Sequence, residues 1–166
     1  MKKCWKNECQ KKILPPEKIE EVVCSIRKDG KKIATLNGSF DLLHAGHLHI
    51  IFEASLVADV LILALNSDAS IQRYKRPDRP IIPLQERLAM IASLSCVDYV
   101  TWFEETDPRE ILKRIRPDVH VNGAEYGAEC IEASVVRQGG GRLHLVARIP
   151  SLSTTEIIEK IRTCDL

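Results

Sequence analysis

The amino-acid sequence predicts an α/β fold, a Rossmann-like, doubly wound parallel sheet of about five strands with helices on both faces. Three observations carry this expectation. Residues 59–66, D-V-L-I-L-A-L-N, form an unbroken apolar run, the pattern of a central parallel strand covered on both sides. Residues 33–51 pass from a short apolar run through Gly38 into a stretch with Leu48, Ile51, Phe52 and Ser55 at helical spacing, so a strand turns sharply into a helix. Strand and helix patterns then alternate, and such crossovers are right-handed, with ligands bound beyond the carboxyl ends of the strands.

Residues 1–12 are basic and polar with Trp5 the only large apolar group, and read as a flexible lead or surface strap. Pro15 and Pro16 open a helix with Ile19, Val22, Val23 and Ile26 on one face. After the strand at 59–66, residues 72–83 (Q-R-Y-K-R-P-D-R-P-I-I-P) lack apolar periodicity and read as a loop. Pro83 starts a helix that buries Leu84, Leu88, Ile91 and Leu94, with Arg87 on the other side. Residues 98–103 form the third strand, and Asp107-Pro108 caps a helix that Pro117 ends. Residues 118–122 form the next strand, with His120 a packed core residue. Residues 131–138 look helical, Gly139 to Gly141 form a flexible hinge, and residues 143–148 are the final strand, with His144 structural. A last helix carries Ile157, Ile158 and Ile161 on its apolar face. A chain of 166 residues with 45% hydrophobic content suits one domain, in which residues 1–30 form a lead and helix packed on the body at 31–166.

The net charge of +1 gives no overall pull toward nucleic acid or membrane, so any anion site must be local. No signal-peptide core or membrane-length run is present, and a cytoplasmic location is expected. The six cysteines show no CxxC pairing or ligand spacing, so free thiols are expected and no residues are assigned to a metal.

The chemistry concentrates where the first strand meets its helix. A helix N-terminus there presents unpaired N–H groups and the positive end of its dipole, which suits an anion. His44 and His47 are three apart and share one helical face if the helix begins near His44. Donors beside an anion hole suit reaction at phosphorus, whose transition state spreads negative charge over the equatorial oxygens. Gly46 is costly in a first helical turn unless something approaches the backbone closely. The carboxyl end of the second strand delivers Asn66, Ser67 and Asp68 to the same edge, and Arg73, Lys75, Arg76 and Arg79 follow as a candidate triphosphate clamp. Ser153, Thr154 and Thr155 precede the last helix and exceed what a cap requires, so a second helix N-terminus is expected to hold the distal phosphates. Asp41 either helps through a metal-bound water or caps the turn.

The string G-S-F-D-L-L-H-A-G-H at 38–47 resembles the GxFDxxHxGH signature of the cytidylyltransferase-like nucleotidyltransferases at every fixed position. Together with A-L-N-S-D-A-S-I-Q-R-Y-K, R-P-I-I-P-L-Q-E-R, V-D-Y-V-T-W-F-E-E-T-D-P and L-S-T-T-E-I-I, it is similar to the adenylyltransferase domain of the ADP-heptose synthase family. The resemblance implies transfer of AMP from ATP to a sugar 1-phosphate, D-glycero-β-D-manno-heptose 1-phosphate, with release of pyrophosphate, in the making of ADP-heptose for lipopolysaccharide core. It implies His44, His47 and Lys75 as catalytic residues. It places Gly38, Ser39, Phe40, Asp41, Gly46, Asn122, Gly123, Ser153, Thr154 and Thr155 on the nucleotide, and Asn66, Asp68, Arg87 and Glu125 on the acceptor. Mg²⁺ is expected, bound mainly through nucleotide phosphates. ATP and a phosphorylated sugar are the expected partners, with no nucleic acid or membrane, and the expected assembly is a homodimer. Where the heptose enzymes usually carry Lys-Gly-Gly-Asp-Tyr, this chain has Asn122-Gly123-Ala124-Glu125-Tyr126. A cytidylyltransferase acting on glycerol 3-phosphate or a similar polyol phosphate, and a non-catalytic nucleotide-binding regulator, are the alternative functions.

Overall fold

The structure, a computed structural model, describes residues 4–150 and 153–164. Residues 1–3 of the expected lead and 151–152 before the last helix lie outside the described residues. The strands are β1 (Ile33–Gly38), β2 (Val60–Asn66), β3 (Tyr99–Phe103), β4 (Val119–Gly123) and β5 (Arg142–Val146). They form one five-stranded sheet in the order β3-β2-β1-β4-β5, with every pairing parallel. The chain winds outward from β1 in both directions, so the switch point lies between β1 and β4, where an open sheet of this kind leaves a crevice for a ligand.

Helices cover both faces because the buried strands carry apolar side chains on both sides. On one face α1 (Trp5–Lys12), α3 (Ala45–Ser55) and α5 (Leu84–Ala92) set Cys9, Ile51, Ala54, Leu88 and Ile91 against Ala34, Leu36, Leu61, Leu63 and Leu65. On the other, α2 (Ile19–Lys28) and α6 (Arg109–Ile115) set Ile19, Val23, Ile26, Ile111 and Ile115 against Ile33, Ile62 and Ala64. Alternate residues of β2 thus enter opposite layers, as the two-residue period of a strand requires. Burying one such Leu or Ile fully is worth about 1.5–3 kcal/mol. Next to the second layer, α7 (Ala133–Gln138) packs Val135 and Val136 against Leu112 and Leu143.

Several elements differ from the sequence-based expectation. The described part of the lead is helical: α1 buries Cys9, and the Trp5 indole donates to Ser93 Oγ at 2.9 Å. Ile13 then bridges Val100 and the Leu14 amide donates to its carbonyl, so this segment covers the outer edge of β3. Residues 72–74 belong to α4 (Asp68–Tyr74), whose start is fixed by Ser67 Oγ accepting from the Ser70 amide. The helix α3 buries Ile51 and Ala54, whereas Leu48 and Phe52 of its expected core face stay exposed. Gly139 to Gly141 form a tight turn, in which a side chain on Gly141 would strike the Pro117 carbonyl. The last helix, α8 (Thr154–Thr163), buries no residue completely. His120 is the core residue expected of it, fully buried with Nδ1 2.8 Å from Thr35 Oγ1. All six cysteines are free, and no helix among the described residues is long and apolar enough to cross a membrane.

Candidate active site

The carboxyl ends of β1 and β4 open into a cleft of about 340 Å³. Its floor begins at Asn37, Gly38 and Ser39, and the turn that follows holds Phe40 at φ 45°. Positive φ is costly for a bulky residue. Here it folds the Phe40 ring back over Gly38, where an added methyl would stand 3.2 Å from the ring. The same ring lies 5.4 Å from the His47 imidazole, centroid to centroid. Gly38 and Phe40 therefore act together as a backing for His47.

His44 is the N-cap of α3 and His47 lies in its first turn, so the two side chains project together at the amide-rich end of the helix. Their rings stack with centroids 3.8 Å apart and planes at 26°. Both Nδ1 atoms are buried and have no hydrogen-bond partner among the described residues. Burial first, then the charge of His44, lowers the pKa of His47 to about 4, against opposing effects from the Leu42 backbone and then Asp41. Burial and then Arg148 lower that of His44, opposed by Glu156. Both rings are thus biased toward the neutral form.

Cations and a second helix start complete the donor side. Lys75, the C-cap of α4, lines the cleft with Nζ 3.2 Å from Ser39 Oγ; burial and then Arg79 lower its pKa. Ser153 caps α8 in a capping box, its Oγ accepting from the Glu156 amide while the Glu156 carboxylate accepts from the Ser153 amide. Ser153 and Thr154 line the cleft beside Arg148, so two helix N-termini meet one space. Asn122, Gly123 and Glu125 form the β4 side, and Gly46 lies in the wall from α3.

Five of the expected site residues stand elsewhere. Arg87 is fully buried and lies within neither the cleft nor the solvent-facing side expected of it. Its guanidinium donates to the carbonyls of Ile82, Ser39 and Asn66 and to the Asp68 carboxylate, which leaves little of it for a ligand. Asn66 and Asp68 are drawn into the same network, Asn66 also donating to Ser70 Oγ at 3.0 Å. Asp41 takes the cap alternative: its oxygens accept from the Ile81 and Ile82 amides and from Arg79. Burial would push its carboxyl up, but those donors outweigh it and hold the pKa low. Thr155 is exposed beyond the cleft wall. The expected four-cation clamp reduces to Lys75, because Arg79 pairs with Asp41, Arg76 with Asp78, and Arg73 donates to the Glu104 carbonyl.

The cleft also holds Asn37, His49, Tyr126 and Arg148, which sequence reasoning did not select. Arg148 lies just past the end of β5, beside the last helix start, a position legible once the strand order is known. Asn37 precedes Gly38 as Asn122 precedes Gly123, and that echo was visible in the sequence. Among the described residues, no group of three or more His, Cys, Asp or Glu is placed to hold a metal. The imidazoles and the ammonium here do not suit Mg²⁺, which takes oxygen ligands.

A profile of the cytidylyltransferase-like family matches residues 35–164. The chain belongs to the cytidylyltransferase-like family. Within this nucleotidyltransferase family it is 43% identical over 155 residues to the bifunctional protein HldE of Syntrophotalea carbinolica, covering 93% of this chain and 32% of the relative. It is 45% identical over 134 residues to HldE of Azotobacter vinelandii, covering 80% and 28%. The chain spans about a third of the length of the curated relatives it matches. Among solved structures, a lipopolysaccharide core biosynthesis protein from Thermoplasma volcanium superposes with a TM-score of 0.58 at 27% identity, covering 72% of this chain and 98% of that one. A pantoate-beta-alanine ligase from Francisella tularensis shares the fold, with a TM-score of 0.60 at 18% identity over 85% of this chain and 70% of its own.

Proposed function

We propose that this cytidylyltransferase-like chain transfers AMP from ATP to a sugar 1-phosphate, D-glycero-β-D-manno-heptose 1-phosphate, releasing pyrophosphate. The observation that carries the reading is the stacked His44–His47 pair at one helix N-terminus, across one cleft from the capped start of α8. The similarity to HldE and to a lipopolysaccharide core protein supports the acceptor. An oxygen of the acceptor phosphate attacks the α-phosphorus in line; the new P–O bond forms as the bond to the β-phosphate oxygen breaks, and pyrophosphate leaves with the electron pair. The attacking phosphate is already ionised near neutral pH, so no side chain need act as general base.

His44 and His47 stabilise the charge that develops at the reacting phosphorus, and Lys75 contacts the transferred phosphate. The N–H groups of α3 and α8, with Arg148, hold the β- and γ-phosphates. Gly38, Ser39 and Gly46 let the backbone approach the nucleotide, and Asn122 and Gly123 line its side of the cleft. Glu125 faces the acceptor. No protein residue is assigned to Mg²⁺; carried by the nucleotide, it would offset phosphate charge. The protein works in the cytoplasm as a homodimer, without nucleic-acid or membrane partners, its residues 1–30 packing on a single domain at 31–166.

Incubation with ATP, Mg²⁺ and the heptose 1-phosphate, with pyrophosphate release and product mass as readouts, tests this. ADP-heptose is the expected product. Turnover only with CTP and glycerol 3-phosphate would replace the reading with cytidylyl transfer, and ATP binding without turnover on any sugar phosphate would replace it with a regulator.

A further inference from the structure

Glu132, which sequence reasoning passed over, is a carboxylate only 6% exposed at the N-cap of α7. Among the described residues no lysine or arginine pairs with it. Its neighbours are two amides: Asn37 Nδ2 lies 3.5 Å from Oε1 and Asn122 Nδ2 lies 3.4 Å from Oε2. The two asparagines follow the paired residues Leu36 and Val121 at the ends of adjacent strands, and both line the cleft. A buried carboxylate without a cation is costly and is retained where its acceptors are used.

Here the use is orientation. A carboxylate accepts hydrogen bonds, so both amides must turn their NH₂ groups toward Glu132 and their carbonyl oxygens away. Asn122 Oδ1 then accepts from the Gly123 amide at 3.1 Å. Asn37 Oδ1 has no hydrogen bond among the described residues. Each amide keeps a second N–H. The β1–β4 wall thus offers one acceptor and two donors in fixed directions, beside the carboxylate of Glu125 and the phenol of Tyr126. This wall contrasts with the imidazoles, Lys75, Arg148 and helix starts that suit phosphates. Fixed groups of both kinds match sugar hydroxyls, which donate and accept at once.

The geometry points to Glu132 as a positioning residue that locks the Asn37 and Asn122 amides into the orientation that reads the hydroxyls of a sugar ring. The inference rests on the nucleotidyl-transfer reading above and extends it to the sugar half of the ligand. Two rings carry that chemistry, the ribose of the nucleotide and the acceptor sugar.

Calorimetric binding separates them. One arm compares ATP with 2′-deoxyATP and 3′-deoxyATP, and the other compares mannose 1-phosphate with its 2-deoxy counterpart; inorganic tripolyphosphate reports the phosphate half alone. In Glu132→Gln the amides are free to flip. The expected result is an unchanged melting temperature, tripolyphosphate affinity within about twofold of wild type, and a loss of about fivefold or more in the preference for the hydroxylated ligand in one arm. That arm names the ring. Preferences kept in both arms overturn the assignment, as does a loss of tripolyphosphate binding equal to the loss of ATP binding. Should Glu132→Gln fail to fold, Asn37→Ser reads the same preference, and an unaltered preference there overturns it too. Wild-type protein that binds ATP and tripolyphosphate without preferring either hydroxylated ligand defeats this assignment alone; protein that binds neither defeats the transfer reading and this inference with it.

Discussion

The imidazoles of His44 and His47 stack face to face, 3.8 Å apart, at the start of the helix that follows β1. Contact this close depends on at least one ring being neutral, because two imidazolium ions at that distance repel. The low pKa of His47 and the lowered one of His44 agree with that. Under the proposed transfer, the pair would donate to phosphate oxygens and strengthen that donation as charge builds.

Replacing either histidine with alanine therefore lowers turnover by on the order of 10²-fold or more. Both variants keep their fold, since neither ring belongs to the packed core layers. Steady-state rates beside thermal melting curves check this. Rates near wild type in both variants would remove the assigned roles.

Gly38→Ala is expected to act on His47 from a distance. The new methyl meets the Phe40 ring at 3.2 Å, and that buried ring stands against the His47 imidazole. A stability loss of about 1–3 kcal/mol is expected from the overpacking, together with reduced turnover. Urea unfolding and initial rates measure the two effects separately.

Arg87 is a stability residue. Removing its guanidinium in Arg87→Ala takes a donor from three carbonyls and from the partly exposed Asp68 carboxylate, at a cost of about 1–3 kcal/mol for each buried carbonyl left unpaired. Arg87→Lys rescues little, because one ammonium cannot reach partners arranged around a planar fork. Chemical denaturation reads both; an Arg87→Ala protein as stable as wild type would contradict the network described.

Acid should destabilise the protein through two histidines. His47 and His120 each titrate near 4 in the folded chain, both through burial, against about 6.5 when unfolded. Above pH 6.5 both states leave these rings neutral and the difference contributes nothing. Between about 6.5 and 4 the unfolded chain binds protons that the folded chain refuses, so stability falls as pH falls. His120→Gln should flatten that dependence in urea titrations run from pH 7 to pH 4.

The fold was legible because β2 is apolar at every position up to Asn66 and because helix and strand periods alternate cleanly along the chain. The histidine pair was legible because residues three apart on a helix share a face whatever else surrounds them. Arg87 and Asp68 were misplaced, and Asp41 was left between two roles, for one physical reason: a charged side chain near a ligand edge can turn outward to a ligand or inward to backbone groups. Only the fold determines which backbone groups are left unpaired. The exposed Leu48 and Phe52 follow the same logic, since helical spacing marks a face and does not reveal how far a neighbouring element extends across it. Glu132 escaped notice because one of its two partners, Asn37, lies on a strand 95 residues away in sequence.

The neutrality of the stacked rings also has a thermodynamic signature. A polyphosphate settling against two free-base imidazoles raises their proton affinity, so each molecule captured draws hydrogen ions from the surrounding solution. The heat of association will then vary with the ionisation enthalpy of the buffer, and the slope of that variation counts the protons taken up. A slope of zero near pH 6.5 would mean that the ligand arrives without calling on either ring.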